Sequence, residues 1–389
     1  MRIARRLALG RLISLSGGSA AYVALVAAIF DQTGSALWVS AAIFSSVVSS
    51  VAAAPLAGWI GDRFDRRAVM IGSDLAATVV SLAMAASTTH ALALVVLLGL
   101  GSVAQSPFEP ASAAALPNVV GAADIPRANA LVAATSSAGY LVGPLLGGVV
   151  LALGGSAATL FLADAGTFVV SAVLVSTVGR SFGRGSTDDH PGAWAGVRLI
   201  VSEPALRIPM LASMVSLVGI GVVDVASYPL SLDLHGGTAG YGAMTALLGG
   251  GGLVGAALAA WALRIEPARV LTAALVASAA GLALAGAAPV IAVVLVGIAV
   301  SGTGRGLADV ASVTIIQARA QDEVRSRVFA ARDGAEHVAF SVSAFTGGLL
   351  VQLASARGAF AVSAVLGVAA ALVAARGAVA RSEAPAPGR

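Results

Sequence analysis

Long apolar runs follow one another along almost the whole chain, and this repetition constrains the fold more than any other feature. Each run has about 20 residues, enough for an α-helix to cross the roughly 30 Å hydrocarbon core of a bilayer. None shows the alternating polarity of a membrane β-strand. The sequence therefore predicts an all-α membrane protein with twelve transmembrane helices, at 7–30, 38–60, 68–87, 91–116, 131–153, 157–178, 208–231, 241–264, 270–287, 289–316, 329–354 and 358–376.

The composition supports this class and excludes several others. Of the 389 residues, 58% are hydrophobic and only 11% are charged, and a soluble protein of this length could not bury so much apolar surface. There is no cysteine and no lysine, and the four histidines are scattered, so we expect no metal site and no Walker-type phosphate loop. No nucleophile–base–acid set is visible either. We therefore expect no enzyme activity, no catalytic residue and no cofactor.

The arginines divide the loops into two classes. All 23 basic residues are arginine, and all but Arg305 and Arg357 lie near the N-terminus or beside a loop that follows an even-numbered span. Positive residues collect in cytoplasmic loops. Both termini are therefore predicted to be cytoplasmic, in a multi-pass protein of the bacterial cytoplasmic (inner) membrane. The net charge of +4 reflects this orientation rather than nucleic-acid binding.

The longest polar segment lies in the middle of the chain and divides the spans into two sets of six. We predict an N-terminal six-helix half (1–178), a cytoplasmic central linker (179–207) and a C-terminal six-helix half with a short cytoplasmic tail (208–389). A shift of 200 residues between the halves aligns Glu109 with Asp309. This alignment indicates two pseudo-symmetric halves, as in transporters built from internal repeats.

The segment between the second and third spans, Gly58–Arg67, is densely charged for so apolar a chain. Its pattern Gly-x-x-x-Asp-Arg-x-x-Arg-Arg resembles the signature that major facilitator superfamily transporters carry at this place. The resemblance implies a gating role, in which Asp62 would cap the start of span eleven and Arg66 would pair with an acid in span four, Glu109. Anchoring of the loop by its positive charge is the alternative, and Asp65 replaces the family's usual glycine. The residues that form the pattern are Gly58, Asp62, Arg63, Arg66 and Arg67.

The fifth span carries a second pattern, Gly-x-x-x-Gly-Pro-x-x-Gly-Gly. It resembles the motif associated with the antiporters of the same superfamily, and it favours export over uptake. Glycines four residues apart form a flat face that lets another helix approach, and a proline removes a backbone hydrogen bond. Ordinary small-residue packing is the alternative interpretation. The residues are Gly139, Gly143, Pro144, Gly147 and Gly148.

Ionisable residues inside spans are costly and suggest function. Glu109 and Asp224 are the preferred proton-binding candidates. Arg305 and Asp309 lie one helical turn apart, so they can form an intrahelical pair that is either static or part of a charge relay. For the two remaining acids within spans, Asp74 and Asp164, structural hydrogen bonding or a place at the membrane interface is the preferred interpretation.

The tracts 107–118 and 317–328 resemble a branch of the superfamily that contains transmembrane secretion effectors and macrolide-type efflux proteins. The residues Leu98–Gln105 lack the span-four arginine that is frequent in drug/proton antiporters, so proton coupling is implied by the resemblance alone. We expect a monomeric secondary transporter in the lipid bilayer that exports a small apolar or amphipathic molecule, a drug or secondary metabolite, by alternating access and proton antiport. A lipid flippase or a nutrient uptake permease of the same fold remains an alternative, and a non-transporting sensor or scaffold is the least favoured.

Overall fold

A computed structural model gives the fold of residues 2–120, 124–178, 198, 200–319 and 322–382. Within these residues almost every segment is helical and no strand occurs, which confirms the predicted all-α class. The helices are α1 (Arg2–Thr33), α2 (Ala36–Arg63), α3 (Arg66–Ala86), α4 (Ala91–Gln105), α5 (Phe108–Val119), α6 (Ile125–Ala152), α7 (Ala157–Ser176), α8 (Pro204–Asp233), α9 (Gly237–Ala262), α10 (Pro267–Ala287), α11 (Ile291–Arg319) and α12 (Asp322–Ser382).

Eleven helical segments of the described chain are long and apolar enough to cross a membrane. One of them, Gly334–Arg376, has 43 residues, about twice the length that one crossing needs. Its helix α12 is interrupted at Ser355, where φ is 69° and ψ is 168°. Residues other than glycine rarely adopt such a positive φ. The break falls between the last two predicted spans, so each arm of α12 (322–354 and 356–382) is long enough for one crossing.

The fourth predicted span is divided into two helices. The helix α4 ends at Gln105 and α5 begins at Phe108. The backbone N–H of Ser106 closes α4 by donating to the carbonyl oxygens of Ser102 (3.0 Å) and Val103 (3.3 Å). Pro107 follows directly and has no N–H with which to continue the ladder. The division places Glu109 in the first turn of α5 rather than deep inside a continuous helix.

The described helices belong to two compact units. The first contains α1 to α7 together with residues 231–246. In it α1 packs against α6 and α7, α2 packs against α4, and α3 packs against α4, α5 and α7. Met70, Phe108 and Val175 are among the buried residues of one of its core clusters, so α3, α5 and α7 share that cluster.

The second unit contains α8 as far as residue 230, α9 from residue 247, and α10 to α12. Here α10 packs against both α11 and α12. Its core is rich in alanine, including Ala212, Ala274, Ala311 and Ala370, which allows helix axes to approach closely. The predicted boundaries of the two halves, 1–178 and 208–389, stay predictions, and most of the predicted linker 179–207 lies outside the described residues.

The surface of these helices exposes many large apolar side chains. A soluble protein rarely exposes extensive apolar patches, whereas a surface in contact with lipid tails must be apolar. Examples are Val79, Leu92, Leu153, Trp261, Leu353 and Val365. Together with the spanning segments, this surface identifies a multi-pass membrane protein.

Candidate functional site

The charged segment after α2 folds as a tight link between two helices. The helix α2 ends at Arg63, and α3 begins at Arg66. Between them Asp65 is the N-cap of α3, and its carboxylate accepts hydrogen bonds from the backbone N–H groups of Arg67 (3.0 Å) and Ala68 (3.2 Å). Sequence reasoning missed this role, although an aspartate directly before a helix is a typical N-cap signal.

Two arginines hold the end of α7 beside this link. Arg67 donates a hydrogen bond to the carbonyl oxygen of Ser176, and Arg6 donates to that of Thr177 (3.4 Å). The last carbonyls of a helix lack partners within the helix and carry partial negative charge. Both arginines therefore cap α7, which gives the positive charge of this region a structural role.

Two other members of the gating pattern, Gly58 and Arg63, lie in the last turns of α2. The guanidinium of Arg63 lies 5.6 Å from the centre of the Trp59 ring. A Cβ added to Gly58 would meet no atom within 4 Å, so this glycine is not required by close packing in the described structure. The side chain of Asp62 lies outside the described residues. Its predicted contact with span eleven remains a prediction.

Glu109 forms an ion pair with Arg11 of α1. The same guanidinium lies 5.6 Å from the centre of the Phe108 ring. Arg11 is a partner that sequence reasoning did not consider, because Arg66 was the expected one. The side chain of Glu109 is 67% exposed, so the acid is not enclosed in the protein.

The span-five glycines form a contact face in α6, and this face packs against α1. A Cβ at Gly143 would lie 2.6 Å from the carbonyl oxygen of Ser16, and one at Gly147 would lie 2.7 Å from that of Ala20. A Cβ at Gly139 would lie 2.8 Å from the Cβ of Leu15. These positions leave no room for a side chain, so glycine is needed for the backbones to approach this closely.

The last glycine of the pattern faces a different segment. A Cβ at Gly148 would lie 2.7 Å from the carbonyl oxygen of Thr238 and 3.1 Å from the Cα of Gly242. In return, a Cβ at Gly242 would collide with the carbonyl oxygen of Pro144. The first turns of α9, which belong to the same unit, therefore pack directly on the motif.

The acid aligned with Glu109 by the 200-residue shift is also paired with an arginine. Asp309 of α11 forms an ion pair with Arg332 of α12, and Arg332 forms a second one with Glu336 (2.8 Å). The predicted partner of Asp309, Arg305, forms no ion pair among the described residues. The spacing of four residues between Arg332 and Glu336 is a sequence signal that could have found this pair.

A small cavity of about 40 Å³ lies at this cluster. It is lined by Arg305, Asp309 and Glu336 together with polar and apolar residues of α8 and α10. A cavity of this size can hold a water molecule where polar groups are present. Arg305 and Asp309 therefore line the same polar cavity, although they do not form an ion pair with each other.

The other acids within spans have different surroundings. Asp224, a predicted proton site, is half-buried in α8. Asp74 of α3 is fully buried, and neither of its carboxylate oxygens has a hydrogen-bond partner. Asp164 of α7 accepts a hydrogen bond from the hydroxyl of Ser81 (2.8 Å). Asp164 thus has a hydrogen-bond donor, and Asp74 is buried beside the polar side chains of Ser171 and Gln105.

Two relatives of this chain are described as transporters. The chain is 29% identical over 221 residues to the multidrug efflux pump Tap of Mycolicibacterium fortuitum. The aligned region covers 52% of this chain and 53% of Tap. It is 31% identical over 153 residues to the uncharacterized MFS-type transporter YfiS of Bacillus subtilis (strain 168). That aligned region covers 39% of this chain and 36% of YfiS. The chain thus spans about half the length of Tap and about a third of YfiS.

Solved structures of transporters share the fold over almost their entire length. The crystal structure of the nucleoside transporter NupG matches with a TM-score of 0.77 and 13% identity, over 97% of this chain and 99% of that chain. A bacterial homologue of the iron transporter ferroportin in an inward-facing state matches with a TM-score of 0.77 and 16% identity, over 98% of this chain and 99% of that chain. At such identities the likeness establishes the fold alone.

A family model matches both parts of the chain. The model is that of the Major Facilitator Superfamily, and the matched residues are 7–261 and 209–388. This agrees with the all-helical fold and the membrane-spanning segments. The chain therefore belongs to the Major Facilitator Superfamily, a family of membrane transporters and not of enzymes.

Proposed function

We propose that this protein exports a small apolar or amphipathic molecule across the bacterial cytoplasmic membrane in exchange for protons, by alternating access. Its similarity to the efflux pump Tap and the antiporter-type pattern in α6 support export. The observation that carries the proton exchange is the cluster in which Asp309 and Glu336 share the guanidinium of Arg332.

Because two acids share one arginine, either acid can be protonated at a small cost in free energy. The Arg332 side chain is only 8% exposed, and a buried cation without a counter-charge would be strongly destabilising. When one acid takes up a proton, the other still compensates the guanidinium. The cluster can therefore bind and release a proton during a transport cycle without leaving Arg332 unpaired.

One acid of the cluster, Asp309, is also open to its surroundings. The side chain of Asp309 is 59% exposed, and the cavity of about 40 Å³ lies beside it. Proton transfer needs an acid that water or another titratable group can reach. Asp309 meets this condition within the second unit, and Glu109, exposed and paired with Arg11, is its counterpart in the first.

The glycine face of α6 supports the conformational part of the proposal. Contacts between glycine backbones involve no interlocking side chains, so one helix can shift along another without breaking a packed core. We propose that α6 moves in this way against α1 and the first turns of α9 as access alternates. The gating pattern at 58–67, with Asp62 as its acid, would hold one of the two states.

Everted membrane vesicles loaded with a pH-sensitive dye test the exchange directly. We expect an efflux substrate, drawn from a panel of apolar and amphipathic drugs, to cause proton movement out of energised vesicles that contain the protein. Asp309→Asn should reduce this movement, and Glu109→Gln and Asp224→Asn test the other predicted acids. Glu266→Gln is the control, because it breaks an exposed ion pair with Arg269 in a different place (3.0 Å).

The results separate this proposal from the alternatives. Unchanged proton coupling in all three acid variants would remove the assignment of the proton site, and no substrate-dependent proton movement across the panel would remove antiport. Direction-resolved flux of the same substrate separates export from nutrient uptake. Translocation of a labelled phospholipid in proteoliposomes would instead identify a lipid flippase.

A further inference from the structure

The helices α3 and α7 each carry an aspartate that is followed seven residues later by a serine. Residues 74–81 read Asp-Leu-Ala-Ala-Thr-Val-Val-Ser, and residues 164–171 read Asp-Ala-Gly-Thr-Phe-Val-Val-Ser. Ser81 donates a hydrogen bond to Asp164 Oδ2 (2.8 Å), while Asp74 lies beside Ser171. The contacts pair the start of one pattern with the end of the other, so the helices are antiparallel. Two carboxylates are therefore buried in one interface, about two turns apart.

The carboxylate of Asp164 has no cationic partner in the described part of the chain, because none of the ion pairs found there includes it. The group that donates a hydrogen bond to this carboxylate, the hydroxyl of Ser81, is neutral. The hydroxyl of Thr167 donates instead to the backbone carbonyl of Asp164 (2.7 Å). Asp164 is therefore a buried carboxylate without a counter-charge among the described residues.

One oxygen of Asp164 makes no hydrogen bond. The residue is only 6% exposed, and its Oδ1 is buried without a partner. Burying a carboxylate oxygen without a hydrogen bond is costly. A Cβ at Gly18 of α1 would lie 3.8 Å from this oxygen, which is an ordinary contact distance. The oxygen is thus an acceptor without a partner in the described part of the chain.

Asp164 lines a cavity of about 240 Å³ within the first unit. The cavity lies between α1, α3, α4 and α7, and most of its walls are apolar. Its lining includes Leu25, Met84, Leu97 and two aromatic residues, Tyr22 and Phe168. A largely apolar cavity with few polar groups is typical of a site for an organic ligand. Aromatic rings add an attraction for cations.

An inorganic cation does not fit this lining. A hard metal ion requires about six oxygen ligands, whereas the other polar groups here are already engaged. Ser102 is bonded to Ser46 (2.6 Å) and to the carbonyl oxygen of Leu98 (3.0 Å). The amide of Gln105 donates to the carbonyl oxygen of Ser73 (3.4 Å). One carboxylate oxygen on an apolar wall matches a single ammonium group instead.

We propose that this cavity binds a small amphipathic organic ammonium ion, with an ammonium N–H donating to the carboxylate of Asp164 and the apolar part lying against α1 and α4. The assignment names a substrate class, and so it rests on the export function proposed above. The ligand would supply the positive charge that Asp164 lacks within the first unit. Molecules much larger than the cavity would be excluded from it.

Calorimetric titration of the purified protein in lipid nanodiscs tests this site without any proton gradient. The probe is 2-phenylethylammonium, and 2-phenylethanol is its neutral counterpart of nearly equal shape. We expect the protein to bind the ammonium ion roughly tenfold or more tightly than the alcohol, because a hydrogen bond to a charged group is stronger than a neutral one. Asp164→Asn should abolish this preference. Asp74→Asn is the matched control, because Asp74 does not line the cavity, and it should retain the preference.

A second variant addresses the cavity without altering the carboxylate. A Cβ at Gly101 would meet only Val80, at 3.5 Å, so Gly101→Leu is expected to fill the cavity and weaken binding of both probes. If Asp164→Asn does not fold, as judged by gel filtration, the effect of Gly101→Leu and the preference of the unaltered protein still test the site.

Equal binding of the two probes, no binding of either, or an equal loss of preference in Asp74→Asn would overturn the proposal. Ammonium binding without substrate-dependent proton movement in vesicles would instead contradict antiport and leave this site intact.

Discussion

Asp309 of α11 forms an ion pair with Arg332 of α12, although no neighbouring sequence pattern connects the two residues. The guanidinium of Arg332 also binds Glu336, which lies one helical turn further along α12 (2.8 Å). One buried cation is therefore held by two acids from two helices. The energetic consequence is that either acid can be neutralised while the other still compensates the arginine.

Variants of the two acids should show this redundancy as a strong departure from additivity. Asp309→Asn and Glu336→Gln each leave Arg332 with one carboxylate, so each should lower the free energy of unfolding by about 1 kcal/mol. The double variant leaves a buried cation without a counter-charge, and we expect a loss of about 3–5 kcal/mol. Reversible unfolding of the purified protein in mixed micelles with increasing SDS measures these differences.

Glu266→Gln is the control for this series. Its ion pair with Arg269 is exposed at both side chains, and exposed pairs contribute only about 0–1 kcal/mol. A double variant whose loss equals the sum of the two single losses would show that Asp309 and Glu336 do not share Arg332 in the membrane protein.

The spans and the helical class follow from local properties of the sequence. An apolar run of sufficient length requires a helix in the bilayer whatever surrounds it. The division of the fourth span could also have been predicted, because Pro107 and Pro110 lie within it. The N-cap role of Asp65 has a local signal of the same kind.

The partners of the charged residues could not be predicted in this way. Glu109 pairs with Arg11, which is 98 residues away, whereas the predicted partner was Arg66. Asp309 pairs with Arg332 and not with Arg305 on its own helix. A shift of one residue turns a helical side chain by about 100° around the axis. The choice of partner therefore depends on how packed helices are rotated, which tertiary contacts determine.

Asp65 should contribute to stability rather than to transport. Its carboxylate accepts hydrogen bonds from the first N–H groups of α3, so Asp65→Ala should lower the free energy of unfolding by about 1 kcal/mol. Asp65→Asn keeps an acceptor oxygen and should lose much less. Substrate flux per folded molecule should be unchanged in both variants. A flux defect in Asp65→Asn would show that this residue also acts in gating.

Asp62→Asn is the contrasting variant in the same segment. If Asp62 holds one state of the transporter, as the gating proposal requires, its loss should slow substrate turnover while expression and substrate affinity are retained. Flux in proteoliposomes and equilibrium binding of the same substrate separate the two effects. Normal turnover would leave only the anchoring role for the segment.

Gly143 should be intolerant of any side chain. Its missing Cβ would lie 2.6 Å from both the carbonyl oxygen of Ser16 and the Cβ of Ser19, so Gly143→Ala must push α6 away from α1. We expect a loss of about 1–3 kcal/mol in the free energy of unfolding, together with reduced flux. The control is Gly166→Ala in α7, where no atom lies within 4 Å and alanine should be neutral or slightly stabilising. Equal stability of the two variants would mean that the backbones of α1 and α6 lie further apart at Gly143 than in this structure.

Two adjacent glycines of α9 offer the sharpest comparison, because they share one helix and one local sequence but differ in what they face. A Cβ at Gly251 would lie 2.6 Å from the carbonyl oxygen of Ala299, which already accepts a hydrogen bond from the hydroxyl of Thr303 (2.8 Å). A Cβ at Gly252 would meet a single atom, the carbonyl oxygen of Gly302, at 3.9 Å, which is ordinary contact. Gly251→Ala should therefore separate α9 from α11 and lower the free energy of unfolding by about 1–3 kcal/mol. Gly252→Ala should be neutral or stabilising by up to about 1 kcal/mol, since alanine favours the helix. Unfolding in SDS measures both, and a larger loss in Gly252→Ala would require α9 to be rotated from the described position.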